Sequence, residues 1–295
     1  MLETLDRLLK LTLVVFMVGN LLDMGLRLKM KAALAGLRNV RFVSLSILWG
    51  FLLCPALAYV LTKIIPLDPY YAMGMVLLGM TPCAPFLPPM VEKARGDMGY
   101  AAAFMLIASV VTVVYMPFAV PLLVTGLSAN AWTIAKPLLL FLLVPLAIGL
   151  LIQRSVPAIA EKIHPSVKLG TTVDTVLMLV LCIVIYGKAF AGTLGTHAIG
   201  VQILFFTIST MASYFLSFGV PPGQKSVIAL GMATRNLGAA FAPLFAIPGV
   251  DRRAIVMVAL GVPMQTLFSL VTAIWLGRRA SNKSARIPEN TGATA

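Results

Sequence analysis

Arg235 and Asn236 are the adjacent side chains of this sequence best equipped to bind something. A guanidinium presents five N–H donors in a planar fork and the amide adds a donor and an acceptor, so together they can hold a carboxylate or sulfonate at two points. Thr234 precedes them and Gly238 follows, inside a stretch that is otherwise apolar. The same arginine reads equally well as a structural counter-charge that pairs with a carboxylate or with backbone carbonyls. A second unusual run contains Pro82, Cys83, Pro85, Pro88 and Pro89. Each proline removes a backbone donor and clashes with the preceding turn, so no unbroken helix can pass through it. Cys83 reads either as a water-reachable thiol in that unwound run or as a small packing residue. Four more residues could move or hold a proton or line a vestibule: Glu92, Asp23 with its neighbour Asn20, and Asp174. A carboxylate does so when burial raises its pKa, and its plainer role is a solvated turn, a helix cap or an interhelical hydrogen bond.

Other chemistries lack their residues. There is no HExxH, no GxSxG, no phosphate-cradling glycine loop and no cluster of histidines and carboxylates at helical spacing, which argues against an enzyme. Cys54, Cys83 and Cys182 form no CxxC and are odd in number, so neither a disulfide framework nor a zinc site is expected, and His164 and His197 have no ligand-spaced companions. No metal and no cofactor is expected.

The elements that must position these residues are membrane helices. Of 295 residues, 60% are hydrophobic and 11% charged, and the mean hydropathy is +0.97. That composition cannot cover a water-soluble surface. The 23 basic residues against 10 acidic ones do not indicate nucleic acid either, because they sit in short clusters between long apolar runs. A helix needs about 20 apolar residues to cross a hydrocarbon core. The pattern predicts about nine crossings, over 5–26, 40–62, 70–94, 98–124, 131–153, 169–189, 197–219, 224–247 and 253–277. The apolar run 11–19 is kept as part of the first crossing, since no cleavage site follows it. With the first crossing starting outside, fifteen Lys and Arg fall inside and seven outside, with Arg235 within a span. The positive-inside rule then puts the N-terminus outside and the C-terminus in the cytoplasm of a cell with this chain in its inner or plasma membrane. Residues 1–280 form one transmembrane unit, and 281–295 is a polar, breaker-rich tail expected to be disordered.

Two of the crossings resemble each other. Leu78-Gly79-Met80-Thr81 with Ala84-Pro85-Phe86 matches Leu230-Gly231-Met232-Ala233-Thr234 with Ala240-Phe241-Ala242-Pro243. They lie five crossings apart, so they run in opposite directions, as the two copies of an inverted repeat do. Two unwound segments meeting at mid-membrane would offer amide and carbonyl groups to a shared polar cavity, the usual construction of a carrier's site.

The sequence resembles the bile acid:sodium symporter family. The resemblance is carried by Asp23-Met24-Gly25-Leu26-Arg27-Leu28, by Phe51 to Ala58 with Pro55, by Leu78 to Pro82 leading to Ala94-Arg95-Gly96-Asp97, and by Ala229 to Ala240. It implies an all-α polytopic membrane protein built as core and panel bundles, with two inverted five-helix repeats and a broken, crossing helix in each. The first helix of that scheme is missing here, so the third and eighth crossings are the broken pair. The resemblance further implies secondary-active transport of a small organic anion, such as a sterol-like acid, a keto acid or pantoate. A sensor or binding protein on the same fold is the alternative. The positions that hold sodium in the family are here Leu87 and Pro88, Ala101 and Met105, Ala229 and Ala233, and Gly50. Hard cations need oxygen ligands and none of these side chains has one, so sodium coupling is not expected and proton coupling stays open. The partners expected are the lipid bilayer and the anionic substrate, and the sequence does not fix an oligomeric state.

Overall fold

The computed structural model describes residues 2–124, 130–247 and 249–284, and every regular element among them is helical. Seven helices, some interrupted by a single wider turn, are long and apolar enough to cross a membrane. They begin with α1 (Leu2–Arg27) and continue with α3 (Val40–Ile47) joined to α4 (Cys54–Ile64), then α7 (Met98–Leu123). Next come α8 (Ala131–Leu138) joined to α9 (Val144–Ser155), then α10 (Pro157–Gly192), α11 (Ala198–Phe215) and α14 (Arg252–Ser284). Between these lie α2 (Met30–Leu37) and two broken segments, α5 (Pro69–Gly79) with α6 (Leu87–Lys93), and α12 (Pro222–Ala233) with α13 (Leu237–Ala246).

The joins within the long helices have a common cause. A proline cannot donate to the carbonyl four residues back, and the turn preceding Pro55 and that preceding Pro145 widen to compensate. In them Cys54 N–H reaches Trp49 O and Val144 N–H reaches Leu139 O, five residues back. Helix starts follow side-chain caps: Asp68 accepts from Tyr70 N–H, Asp97 from Gly99 and Tyr100 N–H, and Asn130 from Thr133 N–H.

Two groups of helices emerge from the packing. Helix α1 lies against α9 and α10, while α5 lies against α4 and α14 and α12 against α11. In the first group Gly25 and Gly149 back onto one another. A Cβ at Gly25 would fall 2.6 Å from Leu146 O and one at Gly149 would fall 2.6 Å from Leu22 O, so only glycine permits this α1–α9 approach.

Several boundaries differ from the sequence expectation. Helix α10 starts at Pro157, twelve residues ahead of the predicted crossing, because 157–168 is rich in helix-forming Ala, Glu and Lys that can stay helical outside lipid. The segment 30–37, expected to be connector, is a short helix against α7, with Gly36 facing Ala103. Helix α14 runs to Ser284, so the first residues of the expected tail continue the helix. The rest of that tail lies outside the described residues.

At one end of the bundle a polar clasp joins the starts of α5 and α14. Arg253 donates through Nη1 to Asp68 at 2.6 Å, through Nη2 and Nε to Asp251 at 2.9 and 3.0 Å, and lies over the Tyr70 ring. The Arg253 hydrogen bonds hold the Asp251 carboxyl below the usual carboxylate range. Its stabilisation is therefore present above the ordinary unfolded value near pH 4 and is lost as pH falls through the lowered folded value. Asp251→Asn should melt slightly below the wild type at pH 7, the gap closing below about pH 4 and shrinking in high salt. A gap that is independent of pH in thermal unfolding scans would remove the clasp from the account.

Candidate functional site

The two broken segments meet in the interior. Helix α5 stops at Gly79, 80–86 is not helical, and α6 resumes at Leu87. In the other segment only 234–236 separates α12 from α13. Pro82 and Arg235 form an antiparallel bridge, so the two strands of chain pass each other in opposite senses. Cys83 N–H donates to Gly231 O at 3.1 Å and Thr234 O at 3.0 Å, and Asn236 N–H donates to Thr81 O at 2.8 Å. Thr234 Oγ1 accepts from Ala84 N–H at 3.2 Å and donates to Leu230 O at 2.9 Å. Cys83 adopts a positive φ of 69° to make this turn. The unwound backbone is thereby satisfied by its counterpart, as burial away from water demands.

Arg235 is fully buried at 0% exposure. Its Nη2 donates to Met232 O at 3.0 Å and its Nη1 to Gly79 O at 3.4 Å. Those carbonyls belong to the final turns of α12 and α5, where helix dipoles leave partial negative charge. Two such ends together offset about one positive charge, which is what the guanidinium supplies. The Phe205 ring covers it at 4.6 Å, its backbone N–H donates to Gln265 Oε1 at 2.6 Å, and its Nε has no hydrogen-bond partner among the described residues. Asn236 spends its side-chain oxygen capping α13 on Ala239 N–H. Gly238 is pressed against Met17 of α1, and Gly50 against Pro82.

Cavities open at two levels along α1. One, of about 260 Å³, is lined by Pro88 of α6, Met24 and Arg27 of α1, Lys29, and Ala102 and Met105 of α7. The other, of about 230 Å³, lies between Lys10 and Met17 of α1, Phe141, and Phe241 of α13. Lys10 also borders a wider cavity beside it, of about 300 Å³. The residues of α1 that line the two cavities are separated by seven positions, from Met17 to Met24, about 10 Å of helix, and Met17 also packs on Gly238.

The structure thus gathers Pro82, Cys83, Pro85, Thr234, Arg235, Asn236 and Gly238 in and beside the crossover, and sets Pro88 at the wall of the first cavity. The acidic candidates lie elsewhere. Glu92 is exposed on α6. Asp23 is buried on α1 between Arg27 Nε at 3.3 Å and His164 Nε2 at 3.0 Å. Asp174 is buried on α10 with one oxygen lacking a partner among the described residues, and Asn20 donates to Phe16 O. Sequence reading missed Gln265, Phe205 and His164 at these places. A buried amide in the apolar stretch 253–277 was the available signal for Gln265. The contacts of the other two depend on packing across distant helices.

The sequence model of the Sodium Bile acid symporter family matches residues 12–193. The match takes in α1 through α10 and the first broken segment, while the second lies beyond it. No curated protein matches the chain.

Removing the guanidinium would leave two helix-end carbonyls and the Phe205 face without their cation. Arg235→Ala should therefore destabilise the protein by roughly 3 kcal/mol or more, with Arg235→Lys intermediate because one ammonium cannot span both carbonyls as a fork does. Unfolding in detergent measures this. An unshifted midpoint for Arg235→Ala would show that the crossover does not depend on this side chain.

Proposed function

The chain belongs to the Sodium Bile acid symporter family, and we propose on that premise that it is a secondary-active carrier that moves a small organic anion across the membrane by alternating access. It is a multi-pass membrane protein of a transporter family. The observation that supports the finer reading is the pair of cavities at two separate levels along α1, one walled by Pro88 of the first broken segment and the other by Phe241 of the second. Each is mostly apolar with a cation at its edge, Arg27 and Lys29 at one and Lys10 at the other. Apolar walls with few charged groups suit a ligand that is itself an apolar body with one anionic head. Rocking of the group formed by α1, α9 and α10 against the group that holds both broken segments would join the bound anion to each side in turn.

The residues do not fit a sodium ion. At the positions that the family resemblance assigns to it, Gly50, Leu87, Pro88, Ala101, Met105, Ala229 and Ala233 supply no side-chain oxygen. The carbonyls of the crossover are also engaged: Gly79 and Met232 accept from Arg235, Thr81 from Asn236, and Gly231 and Thr234 from Cys83. No step is routed through sodium. In this reading Arg235 locks the crossover, the cavity edges hold the anion, and a proton on Asp23 or Asp174 is the coupling charge.

Uptake of labelled taurocholate and pantoate into proteoliposomes tests the reading. Uptake of at least one should be unchanged when sodium is replaced by choline, and Ala102→Trp, which fills the first cavity, should reduce it at least ten-fold with the melting point kept. Asp23→Asn combined with Asp174→Asn should remove any stimulation by an imposed pH gradient. Sodium-stimulated uptake, or full uptake by the Trp variant, would overturn the proposal. Binding without flux for either anion would favour a sensor.

A further inference from the structure

We propose that the chain holds the headgroup of an anionic phospholipid in a basic pocket at the end of the bundle where α6, α11 and α14 finish and α12 begins. This pocket, of about 400 Å³, is the largest of the cavities described and is separate from the two beside the crossover. Arg95, Lys225 and Arg279 line it together with Gly223, Tyr214 and Phe215. No carboxylate lines it and none of the three cations forms an ion pair among the described residues. Asp97, whose backbone N–H meets Gly223 O at 3.4 Å, has its carboxylate occupied in capping α7. Three like charges facing one space repel one another unless an anion sits between them.

The backbone adds to the pull. Helix α12 begins with Pro221 and Pro222 and has no side-chain cap, so the positive end of a twelve-residue helix faces the pocket with the Gly223 N–H unclaimed by a cap. Arg279 is held by three rings, Tyr214, Phe215 and Trp275, at 5.6 to 5.9 Å. Lys225 lies over the Phe218 ring at 5.9 Å. The shared chemistry of the ligand is a phosphate oxyanion.

Its source is argued from the mouth of the pocket. Phe215, which lines the pocket, is 48% exposed, Leu216 after it is 51% exposed, and Phe218, under the pocket's Lys225, is 63% exposed, an apolar surface beside the pocket on a protein of the membrane. A free phosphate would gain nothing from those side chains, whereas a lipid lays its tails on them while the headgroup enters. A zwitterionic headgroup brings its own cation into a site that already has three, so phosphatidylglycerol or a similar net-negative lipid is selected over phosphatidylcholine. Basic pockets between membrane helices recognise lipids on these terms, at about a five-fold change in affinity for each cation.

The test uses the full chain purified in detergent, with native mass spectrometry and thermal unfolding in phosphatidylglycerol, phosphatidylcholine or inorganic phosphate. The wild type should retain phosphatidylglycerol and melt higher in it than in the other two. Arg95→Gln with Lys225→Gln leaves Arg279 in its aromatic box. This double variant should bind phosphatidylglycerol roughly thirty-fold more weakly while melting as the wild type does in phosphatidylcholine. Lys225→Gln alone, the milder change, should weaken binding about five-fold. Undiminished phosphatidylglycerol binding by these variants, equal stabilisation by phosphatidylcholine, or stabilisation by inorganic phosphate alone would each overturn the proposal.

Discussion

A helix that stops inside a bilayer leaves carbonyls that water cannot reach, and this protein stops two of them at one place. Arg235 makes that arrangement tolerable. Its two Nη groups span Met232 O and Gly79 O, one from each broken segment, so a single side chain both neutralises the paired dipole ends and fastens the segments together. A buried arginine is costly when unpaired. Here the cost is offset by carbonyl dipoles and by the Phe205 face. The bridge at Pro82 and the Cys83 and Asn236 hydrogen bonds complete what the guanidinium begins.

The rest of the bundle is arranged around that knot. Because the crossover satisfies itself, α1 does not have to hydrogen-bond to it and packs on it through Met17, whose side chain fills the space that a Cβ at Gly238 would take. On its other side α1 meets α9 backbone to backbone, through Gly25 and Gly149, and Asp23 lies beside His164 of α10. Under the proposed function this puts α1 between the crossover and the α9–α10 pair, where a rocking group would have to turn.

Much of this was legible in the sequence, and the reason lies in the residues. Four prolines between 82 and 89 cannot all lie inside one continuous helix, so a break followed from covalent structure alone, and Pro88 and Pro89 fit only because they fall in the first turn of α6. An arginine in an apolar run must find a partner, so the second unusual segment was marked too. What could not be read was the partner. Sequence left Arg235 equally suited to a substrate carboxylate and to backbone carbonyls, and only the three-dimensional course of Gly79 and Met232 brings those carbonyls to it. Helix ends were the weakest part, since α10 and α14 outrun their predicted spans and α11 stops at Phe215, short of its own. Hydropathy marks where lipid ends, whereas a helix ends where its propensity does. Short α2 was invisible for the related reason that eight residues carry too little periodicity to declare themselves.

A cation built into the chain has a consequence for energetics under the proposed function. A dissociable ion can carry free energy from its gradient only by binding on one side and leaving on the other, whereas Arg235 never leaves. If the crossover charge is permanent, the driving force must enter through a group that changes charge within the cycle. Asp23 and Asp174 stand on α1 and α10, the helices that move as one in the proposed rocking, and both are buried in this conformation. In the proposed reading the coupling charge therefore belongs to that helix pair, while the knot at the centre keeps its charge through the whole cycle and serves only to hold the broken segments together.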